Sequence, residues 1–295
     1  MTAQEGNWDY LGASKTNLPN ESPNMWYLDA ATQNATAGGR GWEWAMQSYL
    51  GRIQYAYKSR YLLTFSVRRD GSSRLGENNK WGIFPSTALK WKVSEEGFFE
   101  PLKPYLNTFN LRAGWGQTGN QEIGNYAFTT TINSGTSFVG YVFGQTQTLT
   151  AGAAPLRNAN PDLSWEAAEQ TNFGADFSML ESKVSVTMDY YIKNTLDMLV
   201  EVPVPGHVGV RYASMQNAGK VQNKGFEFSA EYKQNHKDFY YTVGGNFSIT
   251  KNEVISLGGG ENIYSAPFKG EFLTRTREGD PIGAFYGYQI AGIFQ

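Results

Sequence analysis

Between Tyr49 and Tyr57 the apolar residues Tyr49, Ile53, Tyr55 and Tyr57 share one parity with Gly51, and Ser48, Arg52 and Gln54 take the other. After a break at Lys58, Ser59 and Arg60 the same sense resumes, with Tyr61, Leu63, Phe65 and Val67 set against Thr64, Ser66, Arg68 and Asp70. Successive strand residues point to opposite faces. The spacing therefore predicts an antiparallel hairpin with one apolar and one polar face. Further strands are expected over 85–93, 108–118, 165–179, 184–193, 225–232 and 240–250, and a last one begins within 282–293. In 165–179, for example, Phe173, Ala175 and Phe177 oppose Asn172, Asp176 and Ser178. The count is about nine strands, and helical periodicity is nearly absent.

The connections carry a second pattern. Those at 58–60, 180–183 and 233–238 are short, whereas 71–82, 119–163, 194–216 and 252–280 are long, with 94–107 between. Short turns at one end of a sheet and long loops at the other is the layout of a transmembrane β-barrel. A soluble sandwich spreads its loops without that bias and covers its apolar face with a second layer. Tyr55, Tyr57 and Tyr61 cluster at a strand end, where phenol rings suit a membrane–water interface. Residues 1–45, rich in turn formers and carrying Trp8, Trp26, Trp42 and Trp44, read as an ordered loop and strand edge. Barrel strands and loops then occupy 46–295.

Composition adds little and excludes more. Tyr and Phe number 18 each and Gly 33, with no Cys and 2 His. A net charge of −2 gives no electrostatic grip on nucleic acid. The absence of Cys removes disulfides and thiolate metal sites. No apolar run reaches the ~20 residues of a membrane helix. The negative mean hydropathy is what a barrel strand gives on averaging, since half its residues face a polar lumen. The first residues lack the charged and apolar regions of a signal peptide, so the membrane reading implies a fragment.

Several stretches go beyond pattern. Tyr61-Leu62-Leu63-Thr64 runs on through Val67-Arg68-Arg69-Asp70-Gly71-Ser72-Ser73-Arg74. Asn79-Lys80-Trp81-Gly82, Phe84-Pro85-Ser86, Ser94-Glu95-Glu96 and Trp115-Gly116-Gln117-Thr118-Gly119-Asn120-Gln121 follow, then Asp189-Tyr190-Tyr191, Asn223-Lys224-Gly225-Phe226-Glu227 and Gly279-Asp280-Pro281-Ile282-Gly283-Ala284-Phe285-Tyr286-Gly287-Tyr288. In this order they resemble the C-terminal barrel portion of SusC/RagA-like TonB-linked outer-membrane transporters, with Leu75 standing where that family has Phe. The resemblance implies an all-β fold, an antiparallel segment of a barrel of about 22 strands, with short periplasmic turns and long extracellular loops. It also implies an outer-membrane location and a TonB-dependent receptor whose plug domain and TonB contact lie outside this chain. A SusD-like surface lipoprotein would lid the barrel over an oligosaccharide or peptide cargo, which is released inward when TonB pulls on the plug.

Catalytic constellations are weak, and no enzyme activity, cofactor or metal is expected. Glu166 and Glu169 have opposite parity and cannot act as a pair. Asp176 and Asp189 share the polar face and read as solvated lining. His207 and His236 have no ligand spacing around them. The triplet Gly258-Gly259-Gly260 lacks the rest of a phosphate loop. Substrate contact is expected from loop aromatics, with Trp81, Tyr141, Phe143, Tyr212 and Tyr264 as stacking candidates. Two other readings stay open: a soluble secreted carbohydrate-binding β-sandwich, and a passive porin or adhesin barrel.

Overall fold

The alternating stretches pair with their chain neighbours, one hairpin after another. The computed structural model describes residues 1–135, 139–202, 206–236, 239–258, 261–288 and 292. Its strands are β1 (Thr2–Thr16), β2 (Gln33–Tyr57), β3 (Tyr61–Ser72), β4 (Trp81–Lys92) and β5 (Leu106–Asn120). Four short ones follow: β6 (Ile132–Gly135), β7 (Tyr141–Phe143), β8 (Thr148–Thr150) and β9 (Gly152–Pro155). Then come β10 (Glu166–Met179), β11 (Val184–Val202), β12 (Ser214–His236), β13 (Phe239–Ser256), β14 (Ile263–Tyr264), β15 (Thr274–Thr276) and β16 (Ala284–Phe285). Nine of them form one open antiparallel sheet in the order β1-β2-β3-β4-β5-β10-β11-β12-β13. Strands β6–β9 and β14–β16 form small sheets of their own.

The register keeps parity from strand to strand. One row reads Tyr55, Leu63, Leu89, Ala113, Phe173, Tyr190, Phe226 and Ile249. The row beside it, on the opposite face, reads Gln54, Thr64, Ala88, Gly114, Asn172, Tyr191, Gly225 and Thr250. A slip of one residue anywhere would have mixed the two sets. The apolar face has no second sheet packed against it among the described residues: Phe65, Leu89 and Phe173 remain 46, 46 and 57 % exposed. A contiguous apolar face of this size needs a partner phase, and an enclosing sandwich is not that partner here.

The sequence expectations need three corrections. First, residues 1–45, expected as loop and strand edge, are mostly strand: β1, at the edge of the sheet, pairs with the first part of β2 from Thr2 opposite Ser48 to Thr16 opposite Gln33, and only 17–32 connect them. Glycines at 6, 12, 38, 39 and 41 obscure its alternation, and only the second half of β2 pairs with β3. Second, β11, β12 and β13 run past their expected limits, because register shifts near Thr195, Met198 and Lys220 break the period that sequence reading follows. The loops there shrink accordingly. Third, the ninth strand of the sheet is β1, not 282–293. There Ala284 and Phe285 alone are strand among the described residues, and 289–291 and 293 lie outside them.

The expected loop asymmetry holds. Connections at 58–60 and 180–183 and the step from β12 to β13 lie at one end of the sheet together with the longer 93–105, and those at 17–32, 73–80 and 121–165, the step from β11 to β12 and the chain after β13 lie at the other. Buried apolar side chains gather at the long-loop end, where Leu75, Phe84 and Trp165 form a small core with Met46 and Ile123 against it.

Candidate functional site

The polar face and the long-loop end are the parts of the molecule built for contact with a solute. On the polar face Arg112 of β5 reaches across two strands. Its Nε and Nη2 donate to both carboxylate oxygens of Asp176 at 2.9 Å, and Nη2 also donates to Asp189 at 3.0 Å. Gly174 lies between Arg112 and Asp189 in the register, and a Cβ there would collide with both side chains. The missing side chain is what lets one guanidinium serve two carboxylates. The two aspartates, expected as solvated lining, thus share one guanidinium in a bridge with one carboxylate in excess. Nearby, Arg68 donates to Asp70 at 2.7 Å and Ser48 at 3.2 Å, and Arg52 donates to Ser66 at 3.1 Å. Tyr191 lies over Gly225 and shares a hydrogen bond with Thr250 at 3.0 Å. This face can hydrate and bind polar solutes; it presents no acid–base pair. Among the described residues no group of three metal-ligating side chains converges.

The long connection 121–165 has two parts that differ in kind. Its last ten residues are a strap laid over the rim. The Gly76 amide donates to the Leu163 carbonyl at 3.0 Å, and Asn78 and Asn79 donate to Asp162, each at 2.7 Å. On the other side Asn217 accepts from the Ser164 amide at 2.8 Å and donates to the Ser164 carbonyl at 2.9 Å. Trp165 donates to the Lys80 carbonyl at 3.1 Å and packs edge-on against Phe84, ring centroids 5.4 Å apart. The motif residues around Gly76 and Trp81 are therefore largely rim architecture. Further out, β6 pairs with β9 and β7 with β8 in two small sheets that do not join the main one.

The five aromatic candidates do not form one site. Tyr141 and Phe143 stand side by side on β7, centroids 5.1 Å apart and well exposed. Tyr212 lies under the Arg211 guanidinium at 5.6 Å, and its amide is tied to the Leu156 carbonyl at 2.9 Å. Tyr264 belongs to the separate sheet of β14–β16 and packs on Phe272 and Tyr286 at 5.1 and 5.6 Å. Trp81 sits on the apolar face, with Arg69 4.7 Å above its ring and Tyr49 6.2 Å away. That position suits an interface girdle and differs from the stacking role expected for it. The parity of β4 held the signal, since Trp81 is in phase with Ile83, Leu89 and Trp91.

Sequence reading passed over a second group. On β1 and β2, Trp8, Tyr10 and Trp42 stack with one another at 5.9 and 6.2 Å, and Trp44 lies under Arg74 at 4.8 Å. Cross-strand register, not sequence proximity, brings them together: Trp8 faces Trp42 and Tyr10 faces Arg40.

At the short-turn end, Glu96 clamps two connections. It accepts from the Tyr61 hydroxyl at 2.8 Å, the Trp91 indole at 3.2 Å and Arg60 at 3.0 Å. The Tyr61 hydrogen bond first, then that from Trp91, holds its carboxyl below the usual glutamate range. In the loop after β13, hydrogen bonds from Arg277 lower the Asp280 carboxyl in the same way.

Residues 2–291 match the family described as TonB dependent receptor-like, beta-barrel. The chain is 37% identical, over its whole length, to TonB-dependent receptor P39 of Formosa agariphila, of which it covers 26%. It is 34% identical, over 82% of its length, to TonB-dependent receptor SusC of Bacteroides thetaiotaomicron, covering 25% of that protein. The chain thus spans about a quarter of the curated relatives it matches. Among solved structures it superposes on the RagAB peptide transporter with a TM-score of 0.82 and 29% identity, over 99% of this chain and 31% of that one.

Proposed function

Given that this chain belongs to the TonB dependent receptor-like β-barrel family and is SusC/RagA-like within it, we propose that it is a wall segment of an energised outer-membrane importer. The cargo is a nutrient oligosaccharide or peptide. The observation that carries this reading is the shared parity of the eight strands β2–β5 and β10–β13: apolar residues line one uncovered face and polar residues the other, with most of the long connections at one end. In an outer-membrane barrel those faces meet lipid and lumen respectively. The long-loop end then faces outward, where a SusD-like lipoprotein would close over cargo. TonB would act through a plug held against the polar face, and the Arg112–Asp176–Asp189 bridge supplies a hydrated, polar wall for it. No chemical step is assigned to this segment.

The test uses the full-length transporter in its native host. Deleting the gene should abolish growth on its cargo, and so should collapsing the proton gradient in the intact strain. The lipoprotein encoded beside it should co-purify in detergent. Uptake that persists without an energised inner membrane would make the protein a passive pore.

A further inference from the structure

We propose that the inner face of the β1–β2 hairpin is an oligosaccharide-binding floor, with Trp8, Tyr10 and Trp42 stacking on sugar rings and Arg40 donating to their oxygens. This rests on the importer reading above and names one place where its cargo is held.

The hairpin extends beyond the end of β3: Met46 pairs with Ser72, the last residue of that strand, and everything earlier in β2 pairs with β1 alone. Its even-numbered residues continue the parity of Ser48 and Arg52, so its inner face is continuous with the polar face of the sheet. On that face the rings lie down instead of standing. A Cβ on Gly12 would strike the Tyr10 hydroxyl, and one on Gly6 would strike the Trp44 indole. Tyr10 and Trp44 therefore each cover a glycine of the backbone. Trp8 is within 9° of parallel to Tyr10 and within 21° of Trp42. The three rings form a stacked, nearly parallel aromatic cluster, and they remain 39, 50 and 37 % exposed. Flat aromatic surfaces suit ligands that themselves have an apolar ring face, as pyranoses do on their C–H side.

Charge narrows the ligand. Arg40 sits 5.6 Å from the centres of both Trp8 and Tyr10, and among the described residues no carboxylate pairs with it. The acidic residues of the hairpin, Glu5, Asp9 and Glu43, have odd numbers and point to the other face. A guanidinium lying over two of these rings with no carboxylate partner can donate to hydroxyls or to a sugar carboxylate. A peptide would find no acid here for its amino group.

The full-length transporter in detergent is screened on a printed array of plant, algal and animal oligosaccharides, with a tryptic casein digest as the peptide probe. Affinity for the strongest array ligand should fall at least about ten-fold in Trp8→Ala and in Trp42→Ala. It should stay near wild type in Trp8→Phe, which keeps a ring. Arg40→Gln should weaken binding of uronate-bearing ligands more than neutral ones. Heat-modifiable migration checks that each variant is an assembled barrel. Unchanged affinity in both alanine variants, binding of no saccharide at all, or ring-dependent binding of the digest alone would each overturn the floor. Energised uptake is scored separately. Intact uptake with ring-independent binding removes this site and leaves the importer; ring-dependent binding without energised uptake does the reverse.

Discussion

At the scale of single residues, neighbours in sequence have unlike tasks. Phe65 faces the apolar side at mid-strand, and Ser66 faces the polar side opposite Arg52. A charge near the midplane on the lipid side of a barrel costs roughly 2–4 kcal/mol, while a lumen substitution is tolerated. Phe65→Arg should therefore lower folding yield into lipid vesicles, and Ser66→Arg should leave it near wild type; the yield is read from heat-modifiable electrophoresis. Glu96 carries a pH signature. Its carboxyl titrates below the ordinary range in the folded protein, so its contribution is present above the unfolded pKa and disappears as pH falls through the lowered folded value. Glu96→Gln should destabilise at pH 7, and the gap to wild type should close on acidification below about pH 4, as thermal melts in detergent would register. A gap that widens in acid would contradict the clamp.

At the scale of elements, the loop 121–165 divides into a strap and an outwork, and the two should respond differently to change. Trp165 is nearly buried, against Phe84, and Trp-to-Ala truncation in such a setting costs about 3–5 kcal/mol. Trp165→Ala should depress barrel yield at the cell surface. Replacing 132–155 with a short turn should leave yield intact and reduce cargo uptake or lipoprotein capture. Normal uptake after that replacement would move recognition elsewhere, and lost assembly would make the hairpins structural. The central strands were legible in the sequence because a lipid-facing strand imposes strict alternation on every second residue. The β1–β2 hairpin was not, because its glycines interrupt the alternation and two of them, Gly6 and Gly12, lie under rings from the partner strand and from two residues away. The roles of Trp81 and of the Arg112 bridge depend on which residues sit opposite, and a single strand does not say. Tyr141 and Phe143 were legible as exposed loop aromatics. Tyr264 turned out to be held in a cluster formed by residues far along the chain.

For the whole molecule, the claim is that one continuous sheet separates two media. Eight strands share rows of apolar residues on one side and polar residues on the other, and nothing among the described residues covers the apolar side. An open edge such as that of β13 is an aggregation hazard in water. The full-length barrel should accordingly need detergent or lipid to stay monodisperse. The most direct test is the collision accessibility of spin labels placed singly along β3, from Leu62 to Arg68, in the full-length transporter reconstituted in lipid. The chain's own lack of cysteine makes each labelling site in this segment unique. Labels at Leu63, Phe65 and Val67 should collide freely with oxygen dissolved in the bilayer, and those at Leu62, Thr64, Ser66 and Arg68 with a water-soluble nickel chelate. That alternation with a period of two is the predicted result; equal accessibility of odd and even positions to both reagents would contradict the account.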